Sequence, residues 1–265
     1  MAIEKAYHRT SRGQIHYRHN VQTAASSSTM PLIFLHKSAS SSASVVKLME
    51  HYSALDYACY APDMPGFGNS FDPSAEDEEL IKEQGTTWYC NIYITIFKEL
   101  GIWNKKKGND GGVHIMGHHS GAALALELAA TYPDVVRSVC MIGPSVMSAA
   151  ERGDMKAKLL RPFNEPVASG EHLMATWQYL GRHGLTSHGV RAEPPSSCSK
   201  ADLALWQREA LDHIRAWKGR MQIYAAVFEQ DSEILLKKVD ENLKVMVCCA
   251  KDDVLWPYFG NAKRI

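Results

Sequence analysis

Residues Val113-His114-Ile115-Met116-Gly117-His118-His119-Ser120-Gly121-Ala122-Ala123-Leu124-Ala125-Leu126 decide the fold. The opening run, Val113–Met116, has the pattern of a strand buried on both faces. From Ala122 to Ala130 the residues are strong helix formers. Between strand and helix stands a Gly-x-x-x-Gly turn. Its glycines allow a sharp reversal, and the small residues behind it let helix and strand pack closely. The middle residue of such a turn is thrust above the sheet edge in a strained conformation. Here that residue is His119. The next backbone N–H opens a helix, where a developing oxyanion finds a donor.

Outward from this turn, Pro31–Leu35, Tyr57–Ala61, Val135–Ile142 and Val245–Cys249 read as further buried strands. Helices are predicted around 45–55, 86–101 and 221–239. Strands alternating with helices predict an α/β fold with a mostly parallel central sheet and helices on both faces. Residues 14–18 alternate as a half-buried strand does, and Ser11-Arg12-Gly13 is a turn, so an N-terminal hairpin precedes the sheet. Residues 24–29 read as a loop. From 145 to 218 the strand rhythm is lost. That stretch reads as an inserted helical cap carrying Trp177, Tyr179, Trp206 and Trp217, with loops at 162–166, 181–189 and 194–195. The implied division is core from 1 to 144, cap from 145 to 218, and core again from 219 to 265.

The chain has 265 residues, 29 Lys+Arg against 29 Asp+Glu, and 45% hydrophobic residues, so it can bury a sizeable core. The zero formal charge argues against nucleic acid as a partner, and Lys105-Lys106-Lys107 reads as a solvated face. No apolar run approaches the ~20 residues of a membrane span. The first residues lack the apolar stretch of a secretory signal. Six scattered cysteines without C-x-x-C spacing read as reduced core thiols of an intracellular protein. The cap's His172, His183, His188 and His213 have no metal-ligand spacing and read as surface residues. No metal site and no cofactor is expected.

Four motifs together resemble the α/β-hydrolase superfamily. Leu32-Ile33-Phe34-Leu35-His36 resembles its third strand and oxyanion loop, and Asp63-Met64-Pro65-Gly66-Phe67-Gly68 its D-x-x-G-x-G turn. Gly117–Gly121 resembles the nucleophile elbow, and Val245–Asp253 the penultimate strand with the triad acid. The chain departs from the family in three places. His119 stands where the family has Ser, Asp or Cys. The oxyanion loop reads His36-Lys37-Ser38 where the family usually has His-Gly. The final strand, its helix and the catalytic His are not found in the twelve residues after Asp253.

An imidazole can act as acid, base or nucleophile near neutral pH. On the elbow its ring reaches toward the space normally held by the triad His, which Asp253 would face. His119 and Asp253 are therefore the candidate catalytic pair, with Asp252 the competitor to Asp253. The backbone N–H groups of Ser38 and Ser120 are the candidate oxyanion hole. Lys37, His118 and Trp177 are the candidate substrate contacts, His118 also packing beside and orienting His119. His114 reads as a core residue, and Asp63 as a tie between loops. A nucleophilic role for Ser120 is disfavoured, because its side chain is expected to face away from the apex.

The resemblance implies an enzyme acting on an ester or carbonyl of a small, largely apolar metabolite. The Gly117–Ala122 stretch is similar to fungal hydrolase-like proteins of secondary-metabolite clusters, implying toxin- or polyketide-like biosynthesis. The alternative is a catalytically inactive or truncated hydrolase-fold protein serving as a binding module. A sheet ending without its last strand implies pairing of two copies through the exposed edge. Lys263-Arg264-Ile265 partly matches a peroxisomal address, so the expected location is cytoplasmic, with the peroxisome as alternative.

Overall fold

Glu4–Arg9 (β1) and Gln14–His19 (β2) form an antiparallel hairpin with Glu4 opposite His19. The computed structural model describes residues 2–20, 30–108, 111–182 and 197–263. The loop read at 24–29, the loop at 194–195, His183, His188, Arg264 and Ile265 therefore lie outside the described residues. Leu32–Leu35 (β3), Cys59–Pro62 (β4), Val113–His118 (β5), Val136–Ile142 (β6) and Lys244–Cys248 (β7) complete a seven-stranded sheet of order β1-β2-β4-β3-β5-β6-β7. Every pairing from β4 to β7 is parallel, and β2 joins β4 antiparallel. The architecture is the one read from the sequence, hairpin included.

Helices Val46–Ser53 (α1), Ala75–Gln84 (α2), Thr86–Glu99 (α3) and Ser120–Thr131 (α4) accompany these strands. The larger core joins β5 and β6 to α3 and α4 through Ile115, Val139, Tyr93, Phe97, Leu124 and Leu128. A smaller one packs α1 under Phe34, Met49 and Cys59 on the other face. All four β3 side chains are buried, as a central strand requires. Helix α2 was not anticipated, because Glu-rich 75–84 lacks a strong apolar stripe. Its signal is the capping box, in which the Ser74 side chain accepts from the Asp77 N–H while the Asp77 carboxylate accepts from Ser74.

Between β6 and β7 lie Ala149–Leu159 (α5), Glu171–Arg182 (α6), Lys200–Arg215 (α7), Trp217–Glu229 (α8) and Ser232–Lys238 (α9). The single helix expected over 221–239 is broken at Gln230. There the Asp231 side chain starts a new helix by accepting from the Ile234 N–H. Gln230 turns inward and donates to the Ala123 carbonyl.

Strand β7 also departs from expectation. It was read as buried, yet it forms the sheet edge, with Val245 and Met246 exposed. An apolar run alone does not distinguish a central strand from an edge. The six cysteines are free, but only Cys59 and Cys90 are buried; the others are half-buried.

Candidate active site

The elbow is built by close packing. A Cβ at Gly117 would stand 2.2 Å from the Gly121 carbonyl oxygen, and one at Gly121 would stand 2.1 Å from that of Leu35. No other residue type fits either place while α4 crosses β3 and β5 at this distance. The chain therefore turns within one residue, and His119 takes φ +48° and ψ −110°. Such a backbone costs a non-glycine residue about 1–3 kcal/mol and persists where its surroundings enforce it.

That bend carries the His119 imidazole to Asp253, in the loop after β7. Asp253 Oδ2 accepts a hydrogen bond from His119 Nε2 at 2.8 Å, across 134 residues of chain. The other carboxylate oxygen accepts from the Leu255 N–H at 2.8 Å. Burial pushes the Asp253 carboxyl up, but the bond and charge of His119 and the Leu255 amide hold it below its ordinary value. When the His119 ring carries a single proton, an ionised Asp253 holds it on Nε2 and leaves the lone pair on Nδ1. Asp252 is exposed at the rim of the same cavity.

The cavity has a volume of about 320 Å³. Its polar floor is Lys37, Ser38, His118, His119, Ser120 and Asp253. The backbone N–H groups of Ser38 and Ser120 donate to no other described group. Burial, with the nearby charges of His119 and Lys37, pushes the His118 imidazole down to about 3, so it is neutral. Ser120 is buried at the start of α4 and also lines the cavity.

Two buried networks brace this floor. Asp63 Oδ2 accepts from His16 Nδ1 at 2.8 Å and from the Asn69 N–H, while Oδ1 accepts from the Ser42 N–H. Burial raises its carboxyl, yet these donors and His36 bring it to about 2. His36 donates from Nδ1 to the Lys37 carbonyl and accepts from the Met64 N–H at Nε2, tying the oxyanion loop to the 63–68 turn. The second network reaches into α7. Lys37 Nζ lies 3.1 Å from Glu209 Oε2, and Arg208 donates to Oε1. Burial raises the Glu209 carboxyl, and these cations outweigh it and bring it to about 2.

The structure corrects three readings of single residues. Trp177 does not line the cavity; it stacks on Trp206, ring centroids 4.6 Å apart, and its carbonyl accepts from the Trp206 indole. His213 is not a surface residue. It is buried on the cavity wall, donates from Nδ1 to the Glu209 carbonyl, and is pushed down to about 4 by burial. His114 is half-buried rather than core, bonded to the Ser138 hydroxyl. His172 is half-buried, and its Nδ1 accepts from the Val167 N–H.

Of the apolar wall, sequence reading singled out Tyr179 but not Leu159, Leu180, Tyr224, Phe228 or Leu255. Nor did it anticipate a metal-ligand set, yet donor atoms of His118, His119 and Asp253 all lie within 4.8 Å of one another. The i, i+4 placement of Glu209 and His213 was the available clue to an inward face on α7.

The sequence matches the family described as alpha/beta hydrolase fold over residues 30–253. The chain belongs to this family. It is 26% identical over 136 residues to "Probable lysophospholipase BODYGUARD 4" of Arabidopsis thaliana, a match covering 51% of this chain and 30% of the relative. The chain thus aligns with under a third of that relative's length. An epoxide hydrolase from Vigna radiata superposes with a TM-score of 0.66 at 15% identity, covering 99% of this chain and 85% of that one. Epoxide hydrolase A of Mycobacterium thermoresistibile gives 0.63 at 14% identity, covering 99% and 97%. At such identities these structures establish the shared fold. The elbow of this family member carries an imidazole, that of His119. Among the described residues no helix is long and apolar enough to cross a membrane.

Proposed function

We propose that this protein is a hydrolase acting on an ester or carbonyl group of a small, largely apolar metabolite, with His119 and Asp253 as an acid/base pair. The supporting observation is the 2.8 Å bond between them on the floor of a cavity walled by apolar side chains. Asp253 orients the ring, His119 moves the proton of an attacking water, and the Ser38 and Ser120 amides receive the carbonyl oxygen as it gains charge. No acyl-enzyme on serine forms. Lys37 and His118 contact the substrate from the floor. The α5–α7 region acts as a cap that closes over it, within the 145–218 boundaries. A role in secondary metabolism, of the toxin or polyketide kind, rests on the Gly117–Ala122 resemblance alone. A cytoplasmic place, a peroxisomal alternative and pairing of two copies through β7 belong to the same reading.

The test is turnover of short aryl esters by wild type and His119→Ala, with fluorophosphonate labelling alongside. Loss of about 100-fold or more in the variant, with Ser120 unlabelled, is the expected result. Labelling of Ser120 would transfer the chemistry to that hydroxyl. Ligand binding without turnover in wild type would leave a binding module.

A further inference from the structure

Neighbouring side chains of an extended strand point to opposite faces. The bend at His119 breaks that alternation and brings its ring beside that of His118, with centroids 4.4 Å apart. A ring nitrogen from each and a carboxylate oxygen of Asp253 form a cluster within 4.8 Å, half-buried and facing the cavity. The His118 ring makes no hydrogen bond to any described residue, so its lone pair is uncommitted. Two imidazoles and a carboxylate around an open position are the donor set of catalytic zinc sites, with bonds of about 2.0–2.2 Å. Donors arranged tetrahedrally at that length stand about 3.3 Å apart. The His119–Asp253 pair stands at 2.8 Å and the three donors within 4.8 Å, so an ion requires that pair to open by about 0.5 Å and the wider separations to close toward about 3.3 Å.

We propose that His118, His119 and Asp253 form a binding site for a divalent transition-metal cation of the zinc class, and that loading it silences the His119–Asp253 pair. Imidazole and carboxylate together select zinc, cobalt or nickel over calcium and magnesium, which prefer all-oxygen shells. The silencing half rests on the acid/base reading and requires the ion to take His119 Nε2 and Asp253 Oδ2, the two atoms that form the pair. The binding half does not.

The experiment titrates chelator-treated protein with Zn²⁺ by calorimetry and with Co²⁺ by visible spectroscopy. One ion per chain is expected, with Kd weakened at least tenfold in both His118→Ala and Asp253→Ala. The two substitutions lie on separate segments, and circular dichroism of each confirms its fold. Binding absent below about 1 mM, affinity kept by both variants, or a cobalt–thiolate absorption band from Cys248 or Cys249 overturns the site. Ester turnover by wild type should fall with Zn²⁺ along the calorimetric binding curve. Turnover unchanged at saturating Zn²⁺ overturns the silencing half. A wild type without turnover sinks the acid/base reading and the silencing with it, while calorimetry still decides the site.

Discussion

Gly143 lies directly against the His119 ring: a Cβ there would fall 2.5 Å from Cδ2, 2.6 Å from Nε2, and 3.2 Å from Asp253 Oδ2. Gly143 directly follows β6, adjacent to the elbow, at φ +56°. It keeps open the space in which imidazole meets carboxylate. Gly143→Ala is therefore expected to tilt the ring away from Asp253 and to lower ester turnover by about 100-fold, the effect of misplacing a catalytic group by about 1 Å. Stability should fall by about 1–2 kcal/mol from the left-handed backbone. Steady-state kinetics with an unfolding curve separates the two effects. Full activity in a folded variant would show that the pair is not used.

Asp212 carries the clearest pH signature. It accepts from Ser41 Oγ at 2.9 Å. Burial, with the charges of Glu209 and Asp63, raises its carboxyl to about 6 despite that bond and despite Arg208. The folded chain then holds this proton more tightly than the unfolded one. Stability is lost as pH rises from the unfolded value near 4 through 6, by about 2–3 kcal/mol. Asp212→Asn removes that loss. Urea unfolding should show a more stable variant at pH 7.5 and near equality at pH 4. No gain at pH 7.5 would place the charged carboxylate in a better environment than its surroundings indicate. Asp63 and Glu209, both near 2, act with the opposite sign: their stabilisation is present above about 4 and lost as pH falls toward 2.

The parts legible in the sequence are those fixed by local pattern. Val113–Met116 followed by Gly-x-x-x-Gly and an Ala/Leu helix admits few other structures, because each glycine answers to a backbone oxygen barely 2 Å from its missing Cβ. The order of the motifs brought positions 119 and 253 to one end of the sheet. What local pattern does not carry is which face a helix presents across a gap of 100 residues or more. Trp177 and Tyr179 share a helix turn, yet one stacks on Trp206 and the other lines the cavity. Likewise, Val245 and Met246 look like core residues until the sheet order makes β7 an edge.

Lys37 bridges the oxyanion loop to the cap. Its ammonium pairs with Glu209, whose side chain is 1% exposed. Lys37→Met leaves that carboxylate with Arg208 and Ser40 but without its nearer-buried cation. A loss of about 2 kcal/mol is expected, since breaking one side of a buried pair strands the other charge. The double variant Lys37→Met, Glu209→Gln should recover part of it. A double-mutant cycle by urea unfolding should give a coupling of about 1–3 kcal/mol. Additive losses would mean that loop and cap are held by other contacts.

Gly121 tests whether helix α4 is pinned to the sheet by volume alone. Its backbone is ordinary right-handed helix, so alanine should add about 1 kcal/mol of helix propensity. Its Cβ, however, would stand 2.1 Å from the Leu35 carbonyl oxygen and 2.7 Å from that of His36, both backbone atoms that cannot swing aside. Helix and strand must separate, and overpacking of this kind costs about 1–3 kcal/mol or more. Gly121→Ala should therefore be destabilising overall and should weaken turnover by shifting Ser120 and the elbow. Gly153→Ala supplies the control. Gly153 lies on the exposed side of α5 with nothing within 4 Å of its Cβ position. There the same substitution should stabilise by about 0.5–1 kcal/mol. Thermal or urea unfolding of the pair should show opposite signs. The same sign in both would mean that the close approach of α4 to β3 is not what fixes the elbow.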